Sequence, residues 1–248
     1  MEATHRVLIR NLREHSRLTR EDLDEIGSLT YSIRQLEADE DFICQGDVPK
    51  VAALVVSGMA ARYHLLGNGR RQYLSFHMSG DLPDAQGLFV THMDHALCAL
   101  GPAAIASIPH SEMIKAFVRR PAFGFAVWRE TLIDAAIFRE AITNNSARGA
   151  RARMAHLFCE LFYRARASGL NNGNSLHLPI SLAQLGETLG MAIATVNRSL
   201  QTLRASQALE FRDGELIVKD WRRLQRLGEF DPNYLHSKAN PVNMGSVA

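Results

Sequence analysis

Cysteine is scarce in this chain: Cys44, Cys98 and Cys159 are the only three among 248 residues. Odd in number, widely spaced and without a CxxC pair, they support neither a disulfide framework nor a zinc knuckle. No His-x-His pair occurs, although there are ten histidines. Long apolar runs are missing as well. The stretch from Ala96 to Ile108 is broken by Gly101-Pro102 and is too short to span a bilayer, and the opening Met-Glu-Ala-Thr-His-Arg has no apolar signal core. No internal repeat is visible. These absences lead to the expectation of a cytoplasmic chain with no membrane partner and no bound metal or other cofactor.

A strong excess of one charge is also lacking, since the formal net charge is +2. Its distribution is uneven. Residues 151–248 hold 12 Lys and Arg against 8 Asp and Glu, while residues 1–150 hold 16 against 18. The basic half is therefore the C-terminal one, as phosphate binding there would require. With 46% hydrophobic residues the chain can bury two modest cores.

Thr19 to Asp22 is a helix-capping sequence ahead of Leu23, Ile26 and Leu29. From Tyr31 the hydrophobic period changes to two. Ile33 to Leu36, Phe42-Ile43, Ala53 to Val56, Ala61 to Leu65, Gln72 to Phe76 and Ala104 to Ile108 read as short strands, punctuated by Gln45-Gly46-Asp47, Ser57-Gly58 and Gly67-Asn68-Gly69. Many short strands at close spacing predict an antiparallel barrel or jelly roll over roughly residues 30–110. A long helix is expected next, from about Ala122 to Ile142. Its Phe125, Trp128, Leu132, Ala135, Arg139 and Ile142 recur at the 3, 4 spacing of a coiled-coil seam, with Ile133 and Ile137 on a second face. Asn144-Asn145-Ser146 is read as the break, hinge and N-cap of the following helix, which carries Met154, Leu157, Phe158 and Leu161 inward.

Residues Ser181 to Arg204 carry the most specific signal. Ser181 and Gln184 make a capping box, Leu182, Leu185 and Leu189 make one apolar stripe, and Gly190 stands where a helix ends in a left-handed residue. In a second helix Val196, Leu200 and Leu203 face inward. Ala194, Asn197, Arg198 and Gln201 then share the opposite face. That face is small, polar and cationic, as a helix lying in a DNA major groove needs to be. Leu209 to Val218, folded about Asp213-Gly214, reads as a two-stranded wing. The expected DNA-contacting residues are Ser181, Thr195, Asn197, Arg198, Gln201 and, on the wing, Arg212. Ser199 turns partly inward.

In sequence order, barrel, long helix and winged helix-turn-helix resemble the Crp/Fnr family of bacterial transcription regulators over roughly residues 20–235. The resemblance rests on Leu185-Gly186, Leu189-Gly190, Thr195 to Leu200 and Leu203-Arg204, with Gly80-Asp81-Leu82 and Gly87-Leu88-Phe89 in the barrel. It implies an α+β architecture: a sensor β-roll over residues 1–120, a dimerisation helix over 121–145 and a winged helix-turn-helix over 146–236; the polar composition of residues 237–248, with Asn-Pro and Gly, reads as a disordered tail. It also implies a homodimer paired through Trp128, Leu132, Ala135 and Ile142, with double-stranded DNA, RNA polymerase and an unidentified small-molecule effector as partners, and no catalytic activity. Cyclic-nucleotide-binding members carry a Glu for the ribose and an Arg-Ser pair for the phosphate, at positions that counting from Gly80-Asp81 gives to Ala85, His95 and Ala96. Without that acceptor and that guanidinium, cyclic AMP is not the expected effector. The iron–sulfur members' N-terminal cysteines are missing too, since nothing before Cys44 is a thiol. The contrasting reading, a metal-dependent cupin-like enzyme, needs a His-x-His set; His92 and His95 are read as exposed loop histidines, for which spacing alone fixes no metal geometry. A barrel that only mediates assembly is the third reading.

Overall fold

The computed structural model describes residues 2–238, so most of the tail expected to be disordered lies outside the described residues. The chain divides into two units, residues 1–134 and 135–248.

The first unit opens with a helix for which no strand or turn pattern prepares, α1 (Ala3–His15), followed by α2 (Arg20–Ile26). The Thr19–Asp22 capping box that starts α2 is present as the sequence suggests. Seven strands follow: β1 (Ser32–Leu36), β2 (Asp41–Ile43), β3 (Val51–Ser57), β4 (Met59–Leu65), β5 (Arg71–Met78), β6 (Ala96–Ala99) and β7 (Ala103–Pro109). They form two antiparallel sheets, one in the order β1-β7-β3 and one in the order β2-β6-β4-β5, which is the β-roll expected from the strand spacing. Sequence reading passed over β6, because Ala96 to Ala99 is a short apolar run without alternation and such a run does not announce its period. Leu36, Ile43, Val55, Ala60, Leu97 and Ile105 are packed together from both sheets. A second core gathers Leu8, Ile9 and Leu12 of α1 with Ile26, Leu54, Ile108, Met113 and Phe123. The N-terminal helix is thus part of the roll's own packing.

After α3 (His110–Arg119) comes α4 (Pro121–Ala147), 27 residues long. Pro121 opens it where a missing N–H costs nothing. The helix does not break at Asn144-Asn145-Ser146, contrary to the sequence reading. Asn144 is buried and donates to the carbonyl of Arg153 at 3.2 Å, Asn145 donates to that of Thr188 at 3.0 Å, and the Ser146 hydroxyl donates to Ile142 one turn back at 2.7 Å. With these acceptors in reach, the polar side chains need not compete with the helix backbone. Gly149, not Ser146, is the N-cap of α5 (Ala150–Ala167).

In the second unit α5 supplies a fully buried ridge of Met154, Phe158, Leu161 and Phe162; Leu157 is only half-buried. Around it lie α6 (Leu182–Leu189), α7 (Ile193–Ala205), α8 (Trp221–Gly228) and a small sheet of β8 (Ser175–His177), β9 (Leu209–Arg212) and β10 (Glu215–Val218) in the order β8-β10-β9. Polar contacts tie these elements together. Arg148 pairs with Glu140 at 2.8 Å, His156 bonds the carbonyl of Gly228 at 3.0 Å, and the Tyr234 hydroxyl donates to Glu160 at 2.8 Å. Burial raises the pKa of Glu160 and lowers that of His156, because it disfavours the charged form of each.

Candidate nucleic-acid interface

The Ser181 capping box is formed in both directions: its hydroxyl accepts from Gln184 N–H at 3.2 Å, and Gln184 Oε1 accepts from Ser181 N–H at 2.8 Å. The hydroxyl proton of exposed Ser181 remains available to a phosphate oxygen. At the other end of α6, Gly190 has φ +63° and ψ +40°, a conformation that favours glycine. The turn is tight. A side chain on Gly186 would meet the carbonyl oxygen of Met191 at 2.7 Å, so Leu185-Gly186 and Leu189-Gly190 together set the angle between the two helices.

From that turn α7 presents two faces. Val196, Leu200 and Leu203 are buried, as is Ser199, which removes Ser199 from any role at a phosphate. Ala194, Asn197, Arg198 and Gln201 are exposed side by side, and Thr195 is half-buried next to them. Arg198 Nη2 donates to Thr195 Oγ1 at 3.2 Å, so the threonine orients the guanidinium. Ile193 is 52% exposed. It is the first residue of α7, where the chain has only just left the turn, and the core below is already filled by Val196. On the wing, Asp213 (φ +52°) and Gly214 (φ +76°) make the two-residue turn, and Arg212 stands opposite Glu215 in the ladder. The Arg212 side chain is well exposed and touches Asp213 at 3.2 Å, a surface pair of little worth that a phosphate can displace. Strand β8, which sequence reading missed, pairs with β10 and anchors the wing from behind.

In the β-roll, Ala85, His95 and Ala96 are all buried. Ala85 begins a short 3-10 turn, Ala85–Leu88, and lines a groove of about 470 Å³ with Phe89, Phe117, Val127, Trp128 and Thr131; His95 and Ala96 do not border it. His95, read from the sequence as an exposed loop histidine, is buried, and burial depresses its pKa, with Arg62 adding to the effect. The guanidinium near His95 comes from another strand. Arg62 of β4 is buried, donates to Ser75 Oγ at 3.3 Å and to the carbonyl of Pro83, and pairs with Asp134 of α4 at 2.9 Å. Next to it Asp84 is wholly buried and accepts from Ala53 N–H at 2.7 Å. Burial pushes its carboxyl up to about 7 against the pull of that bond and of Arg62. Sequence offered one signal for Arg62, an arginine in the middle of a mostly apolar strand, and nothing in the periodicity marked it as buried. Among the described residues, no three His, Cys, Asp or Glu side chains are grouped to hold a metal ion. Cys44 and Cys98 are both free thiols, one exposed and one buried.

Along α4 the expected seam is open: Phe125 is 71% exposed, Trp128 55%, Leu132 49% and Ile142 69%, with Ala135 half-buried. Val127 and Ile137, on other faces, are buried. No helix is long and apolar enough to cross a membrane among the described residues.

Residues 152–227 match the Crp-like helix-turn-helix domain, and residues 33–120 match the cyclic nucleotide-binding domain. Among characterised proteins, the transcriptional activator FnrA of Stutzerimonas stutzeri is 24% identical over 203 residues, spanning 82% of this chain and 83% of that protein. The transcriptional activator FnrL of Cereibacter sphaeroides is 25% identical over 214 residues, spanning 84% and 85% respectively. Among solved structures, FixK2 from Bradyrhizobium japonicum superposes with a TM-score of 0.72 at 24% identity, covering 80% of this chain and 98% of that one, and so shares the fold. With both domains matched in the order in which the barrel and the winged helix were found, the chain belongs to the Crp/Fnr family of DNA-binding transcriptional regulators.

Proposed function

We propose that this regulator acts in the cytoplasm as a homodimer that reads a pseudo-palindromic DNA site with α7, and that it does so without cyclic AMP. The observation that carries this reading is the exposed row Ala194, Asn197, Arg198 and Gln201 above a fully buried Val196–Leu203 face. Arg198, oriented by Thr195, is suited to a guanine edge, and Asn197 and Gln201 flank it with amides. Ser181, Thr195 and Arg212 supply phosphate contacts that fix the register. The open apolar stripe of α4 supports pairing of two copies through Trp128, Leu132, Ala135 and Ile142, which would place two reading helices about one DNA turn apart. RNA polymerase and a small-molecule effector are the further partners of this reading, and catalysis has no part in it.

The exposure of Ile193 adds a specific expectation. An apolar side chain at the start of the reading helix cannot hydrogen-bond a base, but it can touch a thymine methyl. In vitro selection from random DNA should therefore return a palindrome with thymine favoured at one position per half-site and few other strict positions. Replacing Ile193 with Ser should relax that position alone. Selection of no common site would overturn the proposal; a common site unchanged by Ile193→Ser would remove Ile193 from the readout.

A further inference from the structure

The N-terminal helix α1 lies ahead of the matched cyclic nucleotide-binding domain, which begins at residue 33. Its buried side is absorbed by the roll through Leu8, Ile9 and Leu12. Its other side carries Arg6, Arg10 and Arg13 at intervals of four and three residues, which sets them along one helix face. A groove of about 600 Å³ runs there, lined by these three arginines and Glu14, with Ile9 and Leu23 of α2 as its apolar part. The volume is that of a small-molecule site. Three guanidinium groups stand against one carboxylate in the lining. Arg10 is half-buried, and its Nε is closed off from solvent with no hydrogen-bond partner, an arrangement that costs free energy until an acceptor oxygen arrives.

We propose that this groove binds a nucleoside polyphosphate, separately from the barrel's own pocket. Arg6 to Arg13 covers about 10 Å of helix, so the three side chains can grip successive phosphates of one chain where a single carboxylate or halide would engage only one of them. Guanidinium forks match phosphate oxygens in pairs. The apolar surface of Ile9 and Leu23 gives a base or sugar something to lie against. Such a ligand would tie the regulator to the nucleotide pool through a helix that the matched domain does not include.

Isothermal titration of the full-length protein with ATP, GTP, inorganic triphosphate and adenosine, in about 150 mM salt to screen loose surface attraction, tests this directly. Expected is saturable binding of the nucleotides at one per chain, weaker binding of triphosphate, and none of adenosine. Arg10→Ala should weaken nucleotide binding about tenfold or more, whereas Arg17→Ala, outside the groove lining, should leave it unchanged. If Arg10→Ala fails to give a normal melting transition, exposed Arg6→Ala takes its place. Absence of binding by any phosphorylated probe overturns the proposal, and so does equal weakening by Arg10→Ala and Arg17→Ala, which would mark attraction to net charge only.

Discussion

In the proposed reading of DNA, Arg198 is the side chain on which direct base contact depends most. It is exposed, held by Thr195, and too far from the core to matter for folding. Arg198→Ala should cost about 1–3 kcal/mol of operator affinity and relax one base pair per half-site, while circular dichroism stays that of the parent. Fluorescence anisotropy with unchanged affinity would make Arg198 a bystander. Asp84 is the opposite kind of residue, with no exposure at all. Its carboxyl titrates at about 7 in the fold against an ordinary 3.8, so between those values the folded chain holds a proton that the unfolded chain has released. Stability should therefore fall as pH rises through that window and level off above about 7. His95 and His156, whose pKa values burial lowers, work in the other direction, adding stability as pH rises towards the ordinary histidine value. Asp84→Asn, which keeps an oxygen for Ala53 N–H, isolates the first effect. The change in denaturant midpoint on going from pH 5 to pH 8 should be more positive in this variant than in the parent, because the Asp84 loss is gone and the histidine gain remains, and an identical change in both proteins would show that Asp84 does not titrate there.

At the scale of elements, the parts that were legible in the sequence are those whose signal is local. The Ser181 box, the Gly190 terminus and the Asp213-Gly214 turn are each fixed by two or three neighbouring residues, and each formed as read. What was illegible depends on partners distant in sequence. Asn144 and Asn145 look like a helix break until the carbonyls of Arg153 and Thr188 are in reach, and α1 gave no reason to be sought until its leucines met the roll. Arg62 and Asp134, 72 residues apart, could not be paired from spacing. The α4 seam is intermediate: periodicity found the stripe, and only exposure tells it from the buried faces of the same helix. Leu132→Asp tests it. If the stripe pairs two copies, the variant places two carboxylates in an apolar contact at a cost of several kcal/mol, and the dimer should dissociate in sedimentation velocity. The chain itself should keep its helical content, since Leu132 is half exposed without a partner. An intact dimer in the variant would move the interface off this face.

For the molecule as a whole, the open question is what the β-roll reports to the helix-turn-helix. The roll matches a cyclic nucleotide-binding domain, yet Ala85, His95 and Ala96 offer neither a carboxylate for a ribose nor a clamp for a cyclic phosphate. The guanidinium of Arg62, next to His95, is engaged by Asp134, Ser75 and Pro83. For Arg62 to turn to a phosphate it would have to leave Asp134, and parting a largely buried pair costs more than a new ion contact returns unless the stranded carboxylate finds another partner. Because Asp134 belongs to α4, the pair already makes, within the first unit, a link between strand and helix that needs no ligand. Calorimetry is therefore expected to detect no binding of cyclic AMP or cyclic GMP at micromolar concentrations, and DNA affinity should be the same with and without them. Loosening the pair by Asp134→Asn should alter DNA affinity with no nucleotide present. Micromolar binding mapped to the region from Ala85 to Ala96 would overturn this assignment, whereas unchanged DNA affinity in Asp134→Asn would confine the pair to a structural role.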